Sequence, residues 1–389
     1  MVSLTRIYWG LSGFFGAKFF AVGLFMPFIP VVLSAKGLSA SQIAVVLAAG
    51  PIARIVAAPW LGSLSDRLSD RRHAVIAYVT LGAVCLAPLP FAASFPALFA
   101  ILTLSAAFTM SALPVADALA VVSAKRHALQ YGQVRLWGSI AFIAANFAGG
   151  LVLDLADADW IVLAIVASTF LTIGAAFGLP RASRQPEQAT KTTNLSPREA
   201  VAALLAVPTA LWLLIAAALV QAAHAMIYGF GTLYWQAGGL SGTWIGLAWA
   251  IGVVSEIILF AVAGRFVGAR VAVGFVVVGA LAGVARWTLL PFAVHPTAVL
   301  ALQVLHGFTF GATHLGAMRV VAEFVPERHA GGVMGLYTAV SGIVMAGAFA
   351  MSGPLYDRDP ALGFWAMAGL CLLALVVTGL CRPAQTVSR

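Results

Sequence analysis

The sequence predicts an all-α membrane protein, with twelve transmembrane helices forming two six-helix halves. Three observations carry this expectation. Of 389 residues, 62% are hydrophobic and 9% charged, where ordinary globular domains carry about 25% charged residues. Twelve segments are each long and apolar enough to cross a bilayer. One long basic stretch divides six of them from the other six, and short motifs recur across it at a nearly constant offset.

A bilayer core needs about 20 apolar residues per helix. The qualifying segments run roughly over 9–33, 42–61, 74–92, 97–119, 135–154, 160–179, 208–233, 244–264, 271–290, 297–318, 332–353 and 361–381. Connections are short and hold turn residues, such as Lys36-Gly37-Leu38-Ser39 and Ala237-Gly238-Gly239. Ser39 with Gln42 three residues later reads as a capping box opening the second helix. The first segment exceeds a signal-peptide core and lacks a small-residue cleavage site after it, so it is expected to be retained. The three cysteines, Cys85, Cys371 and Cys381, all lie in apolar segments. None belongs to a CxxC, so neither a disulfide frame nor a metal site is expected.

Positive charge orients the spans. With the N-terminus inside, sixteen of the 22 Lys and Arg fall in cytoplasmic segments, and only Lys36 and Arg358 fall outside. The others, Lys18, Arg54, Arg135 and Arg286, lie within spans. The stretch from Pro180 to Val207 holds Arg181, Arg184, Lys191 and Arg198 and is expected to be cytoplasmic, as are both termini. The pI near 9.9 is then a topological signal, not a nucleic-acid footprint. The expected organisation is a first half at 1–179, a cytoplasmic linker at 180–207 and a second half at 208–389.

The halves echo one another. Leu38-Ser39-Ala40-Ser41-Gln42-Ile43-Ala44 returns as Leu240-Ser241-Gly242-Thr243-Trp244-Ile245-Gly246. At the same shift Gly62 maps onto Gly264, and Gly132 maps onto Gly332 at a shift two residues smaller. Repeated halves are a transporter architecture, with the substrate site at mid-membrane.

The turn after the second segment reads Gly62-Ser63-Leu64-Ser65-Asp66-Arg67-Leu68-Ser69-Asp70-Arg71-Arg72. It resembles the Gly-x-x-x-Asp-Arg-x-Gly-Arg-Arg signature of the major facilitator superfamily, departing where Ser69 replaces glycine and Asp70 a basic residue. Gly62 would permit close helix approach, and Asp66 would cap or pair with a neighbouring helix end to hold one conformation shut. Arg67, Arg71 and Arg72 complete the conformational motif. A narrower resemblance rests on Gly50-Pro51-Ile52-Ala53-Arg54, Tyr131-Gly132-Gln133-Val134-Arg135-Leu136-Trp137-Gly138-Ser139, Tyr228-Gly229-Phe230-Gly231-Thr232-Leu233-Tyr234-Trp235 and Leu305-His306-Gly307-Phe308-Thr309-Phe310-Gly311. These are similar to the phenylpropionate-permease branch, which is related to the lactose-permease proton symporters.

An intramembrane charge costs about 3 kcal/mol even on lenient insertion scales, so each is a functional candidate. Asp117 and Arg135 sit on consecutive antiparallel segments. If their hairpin centres on Arg126, each lies about 13 Å in, at 1.5 Å per residue, and the two are level. The repeat position of Arg135 is Gly335, so the scaffold does not itself require an arginine there. The lactose-permease resemblance gives Asp117 and Arg135 the substrate, and it matches Glu256, Arg286 and His306 to residues of proton coupling. Glu256 and Arg286 are expected to form a second near-level pair. Desolvation favours a neutral carboxyl and an approaching arginine a charged one, so such a pair could load and release a proton. Gln303 and Thr309 stand where that family carries a lysine and a second acid. His224 and His314 join the coupling candidates, and each could equally be a hydrogen-bonding helix packer. Arg54, at the repeat position of Glu256, and Lys18 could attract an anionic substrate. Tyr228, Trp137 and Phe142 are expected near the cavity.

No HExxH, GxSxG or paired acidic metal motif is present, so an enzyme is not expected. Four intramembrane cations against two acids favour an anionic substrate. The expectation is proton-coupled import of a small aromatic carboxylate such as 3-phenylpropionate by alternating access. The alternatives are sugar, oligosaccharide or nucleoside symport, and drug or sugar efflux by antiport. A monomer in a bacterial inner membrane is expected, with no cofactor beyond the proton gradient. Its partners would be the substrate, protons and lipid, and no nucleic acid.

Overall fold

In hydrocarbon every backbone amide must find its partner within the chain, so apolar segments of this length become helices. The computed structural model describes residues 3–181, 197–263 and 266–381. Its helices are α1 (Leu4–Ala35), α2 (Ala40–Arg67), α3 (Arg71–Leu86), α4 (Phe95–Arg126), α5 (Tyr131–Leu155), α6 (Ala158–Ala176), α7 (Pro197–Leu205), α8 (Pro208–Ala222), α9 (Ala225–Ala237), α10 (Gly242–Ala263), α11 (Ala269–Leu289), α12 (Pro296–Val304), α13 (Thr313–Phe324), α14 (Glu327–Arg358) and α15 (Pro360–Gly379). They form twelve membrane-length apolar spans among the described residues, with α8–α9 and α12–α13 each counting as one. Several outrun the apolar segments: α4 reaches Arg126 and α14 runs from Glu327 to Arg358. Charged residues end the apolar stretch without ending the helix, because they are good helix formers once outside hydrocarbon.

The repeat appears in backbone geometry. Gly37 and Gly239 both adopt φ of 83°, the left-handed conformation that glycine takes at a helix end without a Cβ penalty. Leu38 N–H then donates to Leu33 O and Leu240 N–H to Trp235 O, at 3.1 and 3.0 Å. Ser39 and Gln42 form the expected reciprocal capping box. A Leu-Pro-Phe 3-10 turn recurs at Leu89–Phe91 and Leu290–Phe292. Gly264, and with it the matching of Gly62, lies outside the described residues, as do Arg184 and Lys191.

Two compact units are present, Met1–Gln188 with Gly231–Ala250, and Ala189–Phe230 with Ile251–Arg389. The segment 231–250 thus clusters with residues of the first sequence half. In the first unit α1 packs on α5 and α6, and α4 on α2 and α3. Lipid tails are as apolar as leucine, so helices associate here by close packing at small residues. Gly23 abuts Phe142 and Ala145, and the Phe28 ring lies on Gly149. In the second unit α11 packs on α13 and α15, and α8 on α14 and α15.

Three expectations change. The linker holds the short helix α7, whose Ala200 and Leu204 are buried while Val201 and Leu205 are exposed. Two spans are broken: the seventh at Ala223–His224, and the tenth at Leu305–His306, followed by a π-helical turn over Gly307–Ala312. Lastly, a Cβ at Gly62 would meet nothing within 4 Å, so close helix approach is not what this glycine permits. Asp66 pairs with Arg71 across the turn at 2.9 Å. Arg72 donates to Phe177 O at the end of α6, while Arg67 is exposed.

Candidate functional site

The first cluster gathers where α1, α4 and α5 pack. Asp117 on α4 and Arg135 on α5 meet, with Arg135 Nε 3.6 Å from Asp117 Oδ1, and both side chains are roughly one-third exposed. At that distance the contact is an ion pair and not a hydrogen bond. Nε makes the approach, so the terminal fork of Arg135 is not engaged bidentately by Asp117. The carboxylate instead accepts a 2.7 Å hydrogen bond from the Tyr131 hydroxyl. Tyr131 lies one helical turn before Arg135, which puts both on one face of α5. The guanidinium carbon sits 3.9 Å from the centre of the Phe19 ring and 5.2 Å from that of Phe15. Cation–π attraction of this kind fixes an arginine's plane.

The other first-unit candidates are scattered. Lys18 is buried on α1 and Arg54 half-buried on α2. Trp137 is exposed and donates from Nε1 to the Tyr8 hydroxyl at 3.0 Å, with Trp9 beside it. Phe142 is buried against Gly23 of α1. Neither aromatic joins the Asp117–Arg135 pair. Side chains at 135, 137 and 142 leave the helix in different directions, since successive residues turn by about 100°.

The second cluster forms in the second unit where the two broken spans meet. Arg286 on α11 is 1% exposed. Its Nη1 donates to Thr309 Oγ1 at 2.9 Å and to His306 Nδ1 at 3.3 Å, and its Nη2 donates to Gln303 Oε1. His224 Nδ1 lies 3.2 and 3.1 Å from the carbonyls of Val220 and Gln221. Carbonyls only accept, so Nδ1 carries the proton. Nε2 then accepts from the Thr309 hydroxyl 3.0 Å away. A directed chain results, running from Arg286 through Thr309 and His224 to the carbonyls of α8. Breaks in helices expose such carbonyls, and π-helical turns concentrate at functional sites. Gln221 Nε2 also donates to Phe310 O inside the π turn at 3.2 Å. Gly307 permits the approach of α10, because a Cβ there would stand 2.8 Å from Ser255 O.

Glu256 does not pair directly with Arg286 as expected. His306 lies between them, with Nε2 3.9 Å from Glu256 Oε2. Arg286 donates to Nδ1, so the ring proton sits on Nε2, the side that faces Glu256. Tyr228 stacks on His224 with ring centres 5.5 Å apart, which places it in this cluster. His314 stands apart, exposed and stacked on Phe310.

Gln303 and Thr309, noted in the sequence only as departures from a family pattern, are both partners of Arg286. Phe15, Phe19 and Tyr131 carried signals of spacing alone: one turn from Arg135 for Tyr131, and one turn apart for the two phenylalanines. Among the described residues no group of three or more His, Cys, Asp or Glu could hold a metal.

The MFS_1 like family model matches residues 8–367. The "Probable 3-phenylpropionic acid transporter" of Escherichia coli (strain K12) is 33% identical over 94% of this chain and 96% of its own length. The maltose permease of Geobacillus stearothermophilus is 30% identical over 84% of this chain and 82% of its own. Among solved structures, the nucleoside transporter NupG superposes with a TM-score of 0.81 at 16% identity, covering 97% of this chain and 100% of that one. That likeness speaks for the fold. With the family matched along nearly the whole length and two polar clusters set among apolar spans, the chain belongs to the MFS_1 like family and is a major facilitator transporter of the phenylpropionate-permease type, not an enzyme.

Proposed function

We propose that the protein is a proton-coupled symporter importing a small aromatic carboxylate, working by alternating access in a bacterial inner membrane with both termini cytoplasmic. The observation that carries this reading is the state of Arg135. It is partly exposed, bedded on Phe19 and Phe15, and makes its recorded approach to Asp117 through Nε, at 3.6 Å. A stacked, partly exposed guanidinium whose fork Asp117 does not engage bidentately suits a carboxylate, which accepts two parallel N–H bonds. The neighbouring rings offer an apolar surface to an aryl group. Charge agrees: the intramembrane cations of the first unit are Lys18, Arg54 and Arg135 against the single acid Asp117. An anionic substrate offsets part of that excess, which hydrocarbon otherwise penalises. The relative of Escherichia coli carries a name of the same chemistry.

Glu256 is the proton carrier in this reading. Arg286 occupies the Nδ1 face of His306 as a donor, so that ring is held neutral. Glu256 is then the group at the cluster that can change charge. Carbohydrate symport is the second reading, favoured by the 30% identity with a maltose permease and by the capacity of Asp117, Arg135 and Tyr131 to bond hydroxyls. Competition uptake into proteoliposomes separates the two. With an imposed pH gradient, 3-phenylpropionate should drive and saturate transport, while 3-phenylpropionamide and maltose should compete poorly. Equal competition by the amide or by maltose would overturn the carboxylate reading.

A further inference from the structure

Gly138 lies in the middle of α5, buried, one turn beyond Arg135. A glycine there weakens the helix relative to alanine. Positive φ does not account for it, since the positive-φ glycines among the described residues are Gly37, Gly239 and Gly268. Space does. A Cβ on Gly138 would stand 2.9 Å from Phe19 Cδ2, 3.3 Å from Phe19 Cγ and 3.1 Å from Arg135 Nη1. Real Cβ atoms do not approach ring carbons to 2.9 Å, so the ring or the guanidinium would have to move. The bare Cα is therefore a notch in α5 into which the Phe19 ring settles, and the settled ring underlies Arg135 with 3.9 Å from guanidinium carbon to ring centre.

We infer that Gly138 and Phe19 are positioning residues for the substrate carboxylate. Gly138 seats the Phe19 ring, and the ring sets the plane in which Arg135 presents its fork. The inference rests on the carboxylate reading of Arg135 and deepens it, since two apolar residues that need not touch the anion determine how it is held. Without the notch, the ring is pushed off α5 or Nη1 is pushed off its present line. Bidentate binding is sensitive to displacements of about 1 Å, so affinity should suffer while the rate of the loaded carrier changes little.

The test uses the full-length protein in proteoliposomes, with 3-phenylpropionate and 3-phenylpropionamide as probes. Gly138→Ala should raise KM for the acid about tenfold or more with Vmax within about twofold, and should narrow the discrimination between acid and amide. Phe19→Leu, which leaves the notch open and adds no bulk, should give the same split. In the Phe19→Leu background, adding Gly138→Ala should change KM by less than about threefold, because the tightest contact, to the ring, is gone and only the 3.1 Å approach to the flexible Arg135 Nη1 remains. An unchanged KM in Phe19→Leu, or two fully additive effects, would overturn the inference. Should Gly138→Ala fail to insert, the Phe19→Leu result decides by itself. If wild-type protein fails to discriminate acid from amide, the carboxylate reading falls and this inference falls with it. If wild type discriminates and both variants do so equally well, the positioning role alone is refuted.

Discussion

The carboxylate of Asp154, at the end of α5, accepts hydrogen bonds from the Thr243 amide at 2.7 Å and the Thr243 hydroxyl at 2.6 Å. It takes a third from the Gly242 amide at 2.5 Å. Asp154 thus caps α10, a helix to which it does not belong. The first amides of a helix lack intrahelical partners and carry the positive end of its dipole, so a carboxylate is favoured there. Beneath the cap, Gly150 meets Gly242 and Gly246 meets the backbone of Asn146 with no room for a Cβ. This seam is what draws the segment 231–250 into the first unit.

Asp154→Ala should therefore lower stability by about 1–2 kcal/mol, the cost of losing a helix cap. Asp154→Asn keeps an acceptor oxygen and should lose less. Thermal unfolding in detergent reads both, and an alanine variant that melts with wild type would show the cap to be idle.

Thr309 is the joint of the second cluster, accepting from Arg286 and donating to His224. Thr309→Val preserves shape and removes the hydroxyl, leaving two buried polar groups short of a partner. That should cost about 2–3 kcal/mol, whereas Thr309→Ser should remain near wild type. Equal melting of the valine and serine variants would mean that the chain of bonds contributes nothing.

The spans, the repeat and the meeting of Asp117 with Arg135 were legible because each rests on periodicity or on counting along helices of known rise. The helix breaks at Ala223–His224 and Leu305–His306 were not. No proline stands at either one, and the polar residues there, Gln221 with His224 and Gln303 with His306, do not by themselves stop a helix. What holds them is tertiary: Gln221 bonded to Phe310 O and Ser255 bonded to the Gly307 amide. Counting also misread Glu256 and Arg286. Depth along two helices says whether groups are level, but not which residue from a third helix stands between them, and here it is His306. The recurrence of Leu-Pro-Phe at 89–91 and 290–292 was available in the sequence. Its meaning came with the matching 3-10 turns.

Glu256→Gln should abolish uphill uptake driven by a pH gradient while substrate exchange persists. A fixed neutral amide cannot cycle a proton, yet it leaves Arg286 with Gln303, Thr309 and His306. Uphill uptake by this variant would remove Glu256 from the coupling role.

Orientation can be checked by labelling. In a background without Cys85, Cys371 and Cys381, a cysteine at exposed Ala237 or Asp357 should react with a membrane-impermeant maleimide applied from outside, and one at exposed Ala206 or Lys125 should not. The reasoning is the concentration of Lys and Arg at the latter end of the spans. The opposite pattern would invert the topology and, with it, the direction of import.

Arg135→Ala should abolish uptake of the carboxylate without harming insertion. The structure gives the reason for the second clause: Asp117 keeps the Tyr131 hydroxyl as a donor at 2.7 Å when its arginine is gone, and the pair is partly exposed, so no bare charge is left in apolar surroundings. The first clause follows from the fork. Losing charge-assisted bonds worth about 3 kcal/mol weakens binding roughly a hundredfold. Arg135→Lys tells charge from shape. A lysine restores the positive charge but neither forks onto a carboxylate nor stacks as a plane on Phe19, so its affinity should stay at least about tenfold below wild type. Calorimetric titration of the purified variants with 3-phenylpropionate, alongside their expression in the membrane, measures all of this. Wild-type affinity in Arg135→Ala would make the Asp117–Arg135 pair a structural contact. Wild-type affinity in Arg135→Lys would reduce the role of Arg135 to charge alone, and the aromatic bed beneath it would then have no part in binding.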